Sequence, residues 1–263
     1  MLKLYHHNIS VCAQKVRIAL DEKGIPWKGQ EVDLMREEHL SPAFLKINPR
    51  GLVPVLIHDG VPISESTVIL EYIEDVFPDP PLRPSTPLGR ATMRTWTKVP
   101  DEGLHTACAS VTYSAAFLHQ LRDHYDKKAW EERLAKLPDR ARAARQKQII
   151  ELGFQAPFVK DAVLLHAKVL KEMDTTLAKS EWLAGDDFTL ADIAIIPYVT
   201  RLDRLGLDGM WAAYANVDRW FSNVQSRQSF ETAITAFQSN DYDDELKKRG
   251  IDVWPEVQGL LVA

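Results

Sequence analysis

Four short stretches hold residues whose types and spacing can do chemistry. In "HHNISVCAQKVRIAL", residues 6–20, Ser10 and Cys12 stand where an apolar opening passes into a helical pattern. A hydroxyl and the positive end of a helix can together hold a thiolate. Ser10 can equally be a plain N-cap, and Cys12 a small apolar filler or itself a nucleophile. In "NPRGLVPVL", residues 48–56, Val53-Pro54 opens a strand two residues after Gly51. Proline cannot donate to a strand ladder. A cis bond there presents the Val53 backbone to a ligand lying alongside as an extra strand; a trans proline starting an ordinary strand is the alternative. In "ISEST", residues 63–67, Glu65 and Ser66 sit where a strand turns into a helix. Helix N–H groups and a hydroxyl suit a carboxylate, and an adjacent Glu suits an ammonium, so the pair fits an amino-acid zwitterion; Ser66 as a simple cap is the alternative. In "FTLADIAIIPY", residues 188–198, Thr189 and Asp192 form a capping box before an apolar run. That is structural: it starts a buried helix.

The elements that position these residues can be read in outline. "LKLYHH" reads as a strand and residues 11–23 as a helix ended by Gly24. "WKGQEVDL", 27–34, reads as a second strand, and Ser41-Pro42 opens a short helix. Residues 53–63 form a hairpin around Asp59-Gly60. Ser64 or Ser66 then caps "TVILEYIEDVF". The order β-α-β-α-β-β-α predicts a small mixed sheet with helices packed on it, an α/β thioredoxin-like domain. Residues 77–87 carry five of the fifteen prolines and read as a stiff linker. Everything beyond lacks strand alternation and predicts an all-α domain, with helices near 88–119, 139–179, 190–205, 215–227 and 229–237. The resulting division is 1–78, a linker at 79–87, and 88–263. The charge-dense stretch 121–148 mixes both signs and reads as a solvated helical excursion. The tail from 241 either docks on the body or hangs loose.

Composition narrows the classes. The chain has 263 residues, 45% hydrophobic and 26% charged, which is an ordered, globular balance. A net charge of −5 argues against nucleic acid as a partner. No apolar run is long enough to span a membrane, and no secretory pattern opens the chain, so the expected compartment is cytoplasmic. Two cysteines, Cys12 and Cys108, allow no disulfide framework and no cysteine-rich metal site. No phosphate-loop, dinucleotide or HExxH motif occurs.

The four stretches, in this order and with this linker, resemble the glutathione S-transferase family over nearly the whole chain. The resemblance implies the glutathione S-transferase fold and glutathione as co-substrate, with no metal. It implies that Val53-Pro54 is the cis-proline site pairing with the cysteinyl backbone of glutathione, and that Glu65 and Ser66 hold its γ-glutamyl end. "SVCAQKVRIAL" is similar to the zeta-class and omega-class patterns, both of which put Ser10 at the catalytic position. "REEHLSPAFLKINP" resembles a theta-class segment in which a His meets the glycine carboxylate, which maps to His39. Many relatives carry Lys or Gln before the V-P pair; here Leu52 stands there, so the glycyl end depends more on His39 or Arg50. "PDEG" is similar to a segment whose Asp reaches the partner subunit's glutathione, which maps to Asp101. "MRTWTKVPDE", "STVILEYIEDVFPD" and "ARQKQIIELGF" resemble the bacterial glutathione-dependent β-aryl etherases of lignin breakdown.

The expected chemistry is thiolate attack on a hydrophobic electrophilic small molecule, in detoxifying conjugation or β-aryl ether cleavage. Ser10 donates to the glutathione sulfur, and the first helix adds positive potential. The acceptor pocket is expected between the domains, walled by the helix after the linker around Trp96, His105 and Tyr113; those aromatics can also be plain core. The family also implies a homodimer. Two rival classes stand beside this one. One is a glutathione-binding or structural protein without turnover. The other is a thiol-disulfide reductase using Cys12, against which stand the missing C-x-x-C and the Ser at position 10.

Overall fold

Strict alternation makes the first strand. β1 (Leu2–His6) buries Leu2, Leu4 and His6 and leaves Lys3 and Tyr5 half-buried on the opposite face. The computed structural model describes residues 1–262, the side chain of Asn240 excepted. α1 (Val11–Glu22) starts at Ser10 and closes at Gly24. There the Gly24 amide donates to the Asp21 carbonyl at 2.8 Å and the Ile25 amide to that of Leu20 at 2.9 Å. That double closure needs the left-handed backbone of Gly24, whose φ is +62°. β2 (Trp27–Glu31) pairs parallel to β1, Leu2 opposite Trp27. It stops short of the expected Leu34 because the Asp33 carboxylate accepts the amides of Met35 and Arg36 at 2.9 and 3.0 Å, folding the chain into a turn.

α2 (Pro42–Ile47) opens as expected, with Ser41 Oγ accepting the Phe44 amide at 3.2 Å and Pro42 at the first position. β3 (Val55–His58) and β4 (Val61–Ser64) form the hairpin, with Asp59 and Gly60 both at positive φ, 48° and 86°. The sheet order is β2-β1-β3-β4, with Leu4 of β1 opposite Leu56 of the antiparallel β3. α3 (Ser66–Val76) packs against α1. On the Tyr5 face, Phe44 of α2 packs with Val32 and Val55, and meets the Tyr5 ring edge-on at 5.9 Å. This is the thioredoxin-like order. The linker is pinned beneath it by one buried ion pair. Lys23 Nζ lies 2.5 Å from Glu74 and donates to the Pro80 carbonyl at 2.6 Å, while Glu74 accepts the Leu82 amide at 3.0 Å.

Beyond the linker the described chain is helical, apart from one isolated bridge between Trp182 and Gly185. The expected helix 88–119 is broken. α4 (Pro87–Lys98) ends before a kink at Gly103, φ +135°; α5 (His105–Thr112) then passes through a π-helical turn, Tyr113–Phe117, into α6 (Leu118–His124). The charge-dense stretch forms α7 (Lys127–Lys136) and α8 (Arg140–Leu152). The expected helix 139–179 is likewise two, because Gly153 at φ +57° separates α8 from α9 (Pro157–Leu177). α10 (Leu190–Arg204) and α11 (Ala215–Gln225) follow the expected spans closely, whereas α12 (Gln228–Ala233) stops short of the expected 237 and a separate 3-10 turn, Thr235–Phe237, follows it. The tail is α13 (Asn240–Leu261), with Leu246 and Val257 fully buried; its last residue, Ala263, lies outside the described residues.

The chain's contacts group it into two units, each discontinuous in sequence. One comprises Met1–Val99, Thr176–Pro197 and Arg219–Gln238; the other comprises Pro100–Thr175, Tyr198–Asp218 and the residues from Ser239 on. The boundaries at 78 and 87 follow a different criterion, the change from strand-containing to helical sequence. In the first unit Asp192 behaves as the capping box requires and does more. It accepts the Thr189 and Leu183 amides and the Trp220 indole N–H, each at 3.0 Å, from a fully buried position. Burial pushes its carboxyl up to about 6.

Candidate active site

The first unit brings Ser10, His39, Arg50, Val53, Pro54, Glu65 and Ser66 into one compact body. Ser10 is the N-cap of α1: its Oγ accepts the Ala13 amide at 3.2 Å and its own amide donates to the His7 carbonyl at 3.1 Å. Capping uses only a lone pair. A serine hydroxyl also has a proton, and among the described residues no protein acceptor takes it. The cap and the thiolate donor are therefore compatible roles on one atom. Cys12, two residues on, is half-buried, although Val11 and Ala13 beside it are buried. It is not the fully enclosed filler that the sequence suggests.

The Val53–Pro54 bond is cis, as the resemblance implies. The loop before it is shaped by Asn48, whose side chain accepts the Arg50 amide at 3.1 Å and donates to the Leu52 carbonyl at 2.9 Å. Gly51 is required there twice over: its φ is +60°, and a Cβ would press on the His39 carbonyl at 3.1 Å. His39 itself is 1% exposed, in a short turn at Glu38–Leu40. Its ring lies in the interior rather than on an open face.

The turn into α3 departs from the simplest expectation. Neither Ser64 nor Ser66 caps the helix. Glu65 holds the N-cap position at φ +70°, with no side-chain cap, and Ser66 is the first helical residue, buried. By contrast, α1, α2, α4, α7 and α8 each begin with a side chain on an amide. Among the described residues the first amides of α3 thus have no side-chain cap, and the buried Thr67 hydroxyl beside them has no hydrogen-bond partner. Such an end is a ready site for a carboxylate. Glu65, exposed, forms an ion pair with Arg50 and so joins the 48–52 loop to this turn.

Asp101, His105 and Tyr113 belong to the second unit. Asp101 and His105 are exposed, with His105 Nδ1 3.4 Å from the Tyr198 hydroxyl; half-buried Tyr113 meets Phe117 edge-on at 5.1 Å. Trp96 is grouped with the first unit and is nearly buried. Among the described residues no helix is long and apolar enough to cross a membrane, and no His, Cys, Asp and Glu cluster is arranged to hold a metal ion.

The model of the glutathione S-transferase N-terminal domain matches residues 9–76, and that of the C-terminal domain matches 131–228. Protein LigF of Sphingobium sp. strain SYK-6 is 31% identical over 259 residues, covering 94% of this chain and 97% of LigF. The chain belongs to the glutathione S-transferase family. Solved structures agree. The crystal structure of beta-etherase LigF matches with a TM-score of 0.81 at 29% identity, over 89% of this chain and 99% of that one. Glutathione transferase F7 from Populus trichocarpa matches with a TM-score of 0.71 at 26% identity, over 91% and 100%. Within this family member, two groups near Ser10 escape a reading by motif. Arg17 and His6 lie in the buried layer behind it, 1% and 4% exposed. For Arg17 the signal in the sequence is a charged residue inside the apolar run "KVRIAL"; for His6 it is only its place on the inward side of the first strand's alternation. Burial and the neighbouring Arg17 charge bring the His6 imidazole down to about 4, and burial also lowers His7.

Proposed function

We propose that this protein is a glutathione transferase that activates the glutathione thiol at Ser10 for attack on a hydrophobic electrophile. Residues 1–78 hold glutathione: Val53 pairs with its cysteinyl backbone, and Glu65 and Ser66 receive its γ-glutamyl end. Residues 79–87 are the linker, and 88–263 supply the acceptor side, with His105 and Tyr113 as its candidate groups. His39 serves the glycyl carboxylate after its ring turns outward, or Arg50 takes that role. Asp101 reaches the glutathione of a second subunit in a homodimer. The similarity to LigF, a beta-etherase by its structure's description, makes aryl ethers the first electrophiles to try. The activity is cytoplasmic and detoxifying or degradative.

The observation that carries this reading is the uncapped start of α3, with Ser66 buried at its first position and Glu65 beside it. A protein-only explanation of that turn leaves its amides and the Thr67 hydroxyl unused. The test is ultraviolet thiolate absorbance of bound glutathione against pH, in wild type and Ser10→Ala. A bound thiol pKa well below about 8.5, lost in the variant, supports the reading. A bound thiol that titrates like the free one returns the protein to the class of glutathione binders without turnover. Disulfide exchange that depends on Cys12 moves it to the reductases.

A further inference from the structure

Arg17 sits on α1 with 1% of its surface exposed. A guanidinium that deep must have its N–H groups satisfied, and here they are spent on the chain around Ser10. Nη2 donates to the Asn8 carbonyl at 3.1 Å, and Nη1 lies 3.4 Å from the His7 carbonyl and 3.3 Å from His6 Nδ1. Nε donates to the Ala233 carbonyl at 2.8 Å, and the Phe237 ring lies 4.1 Å from Cζ. The His7 carbonyl is also the acceptor for the Ser10 amide. Arg17 and Ser10 therefore converge on one peptide group. From one side the guanidinium fork fixes the His7 and Asn8 carbonyls; from the other, the Ala13 amide fixes Ser10 Oγ. The segment at 233–237 closes the back of the fork.

We propose that Arg17 is a positioning residue for Ser10, acting through the His7–Asn8 loop to aim the hydroxyl at the thiol sulfur. The inference rests on the reading of Ser10 given above. Lysine cannot replace the arginine here, because one ammonium cannot span carbonyls on both sides of the helix as a planar fork does. Two imidazoles face Arg17. His6 is held near 4 and His7 is lowered, although the Glu31 and Asp33 carboxylates pull His7 the other way.

The test compares wild type, Ser10→Ala, Arg17→Lys, Arg17→Met and Val16→Ala, reading thiolate absorbance of bound glutathione against pH. Val16 is fully buried on the same helix, so Val16→Ala reports what plain loss of core packing does. Arg17→Lys is expected to raise the bound thiol pKa by about 1 unit and to shift the kcat/KM pH profile with it. Arg17→Met should raise it at least as far, and Val16→Ala should leave it where it is in wild type. An activated thiol in wild type, lost in Ser10→Ala but kept in Arg17→Lys, overturns this inference alone. A shift of equal size in Val16→Ala, or an Arg17→Lys protein that does not fold, assigns Arg17 to the core and also overturns it. A wild-type thiol with no activation removes the reading of Ser10 and this inference with it.

Discussion

Ser10 Oγ accepts the Ala13 amide at 3.2 Å, and this contact separates two roles that mutation can pull apart. An aspartate at position 10 can still cap α1, because its carboxylate accepts the same amide, but it has no proton to donate. Ser10→Asp should therefore keep folding stability within about 0.5 kcal/mol of wild type. Its bound-thiol pKa should rise to or above that of free glutathione, since a carboxylate beside the sulfur opposes the thiolate. Urea unfolding and the thiolate titration read the two effects separately. A stable Ser10→Asp protein with an activated thiol would remove Ser10 from the mechanism.

Glu65 offers a second separation. Its carboxylate is exposed at the uncapped start of α3 and is shared with Arg50. Glu65→Gln keeps the shape and loses the charge. The KM for glutathione should rise about tenfold, the loss expected for one charge-assisted contact, with kcat changed much less. Steady-state rates at saturating electrophile measure this. An unaltered KM would mean that the γ-glutamyl end binds elsewhere.

Asp192 predicts a pH dependence of stability. Its carboxyl titrates at about 6 in the folded protein, against an ordinary value of 3.8. The folded state thus holds a proton that the unfolded state releases. The stabilising contribution is full below about pH 4 and falls as pH rises to about 6. Relative to Asp192→Asn, wild type should lose stability across that interval and run parallel above it. Asp192→Ala strands three buried donors and should cost about 3 kcal/mol at neutral pH. Denaturant unfolding at stepped pH tests both; a wild type and Asp192→Asn pair with parallel profiles throughout would show that the carboxyl is not raised.

The docking of α13 rests on glycines. A Cβ at Gly250 would collide with the backbone carbonyl of Leu205, and one at Gly209 with the Trp254 ring. Gly250→Ala must push the helix away, which also strains the Arg204–Asp243 ion pair. A loss of more than about 2 kcal/mol is expected, with a red shift of the Trp254 emission as its ring is uncovered. Gly259→Ala, which meets nothing within 4 Å, should be neutral. Equal stabilities for the two variants would show that α13 does not pack as described.

Rules that act between near neighbours in the chain are legible in the sequence itself. Ser41-Pro42, Asp59-Gly60, Gly24 and the Thr189–Asp192 box each act over two to five residues, so their types alone specify the turn or cap. Rules of that kind misplace the start of α3, because either serine can cap and the positive φ of Glu65 has no compositional signature. They also run helices through Gly103 and Gly153, whose left-handed backbones are set by what surrounds them. Site chemistry divides along the same line. The residue types at 10, 53–54 and 65–66 are each compatible with a plain cap or an ordinary strand start, and only their order along the chain carries the resemblance to a glutathione-binding family. The enclosure of His39, the half-exposure of Cys12 and the convergence of Arg17 with Ser10 on the His7 carbonyl are products of packing. They join atoms from separate elements, Ala233 to Arg17 across 216 residues among them, and no spacing along the chain encodes such a meeting.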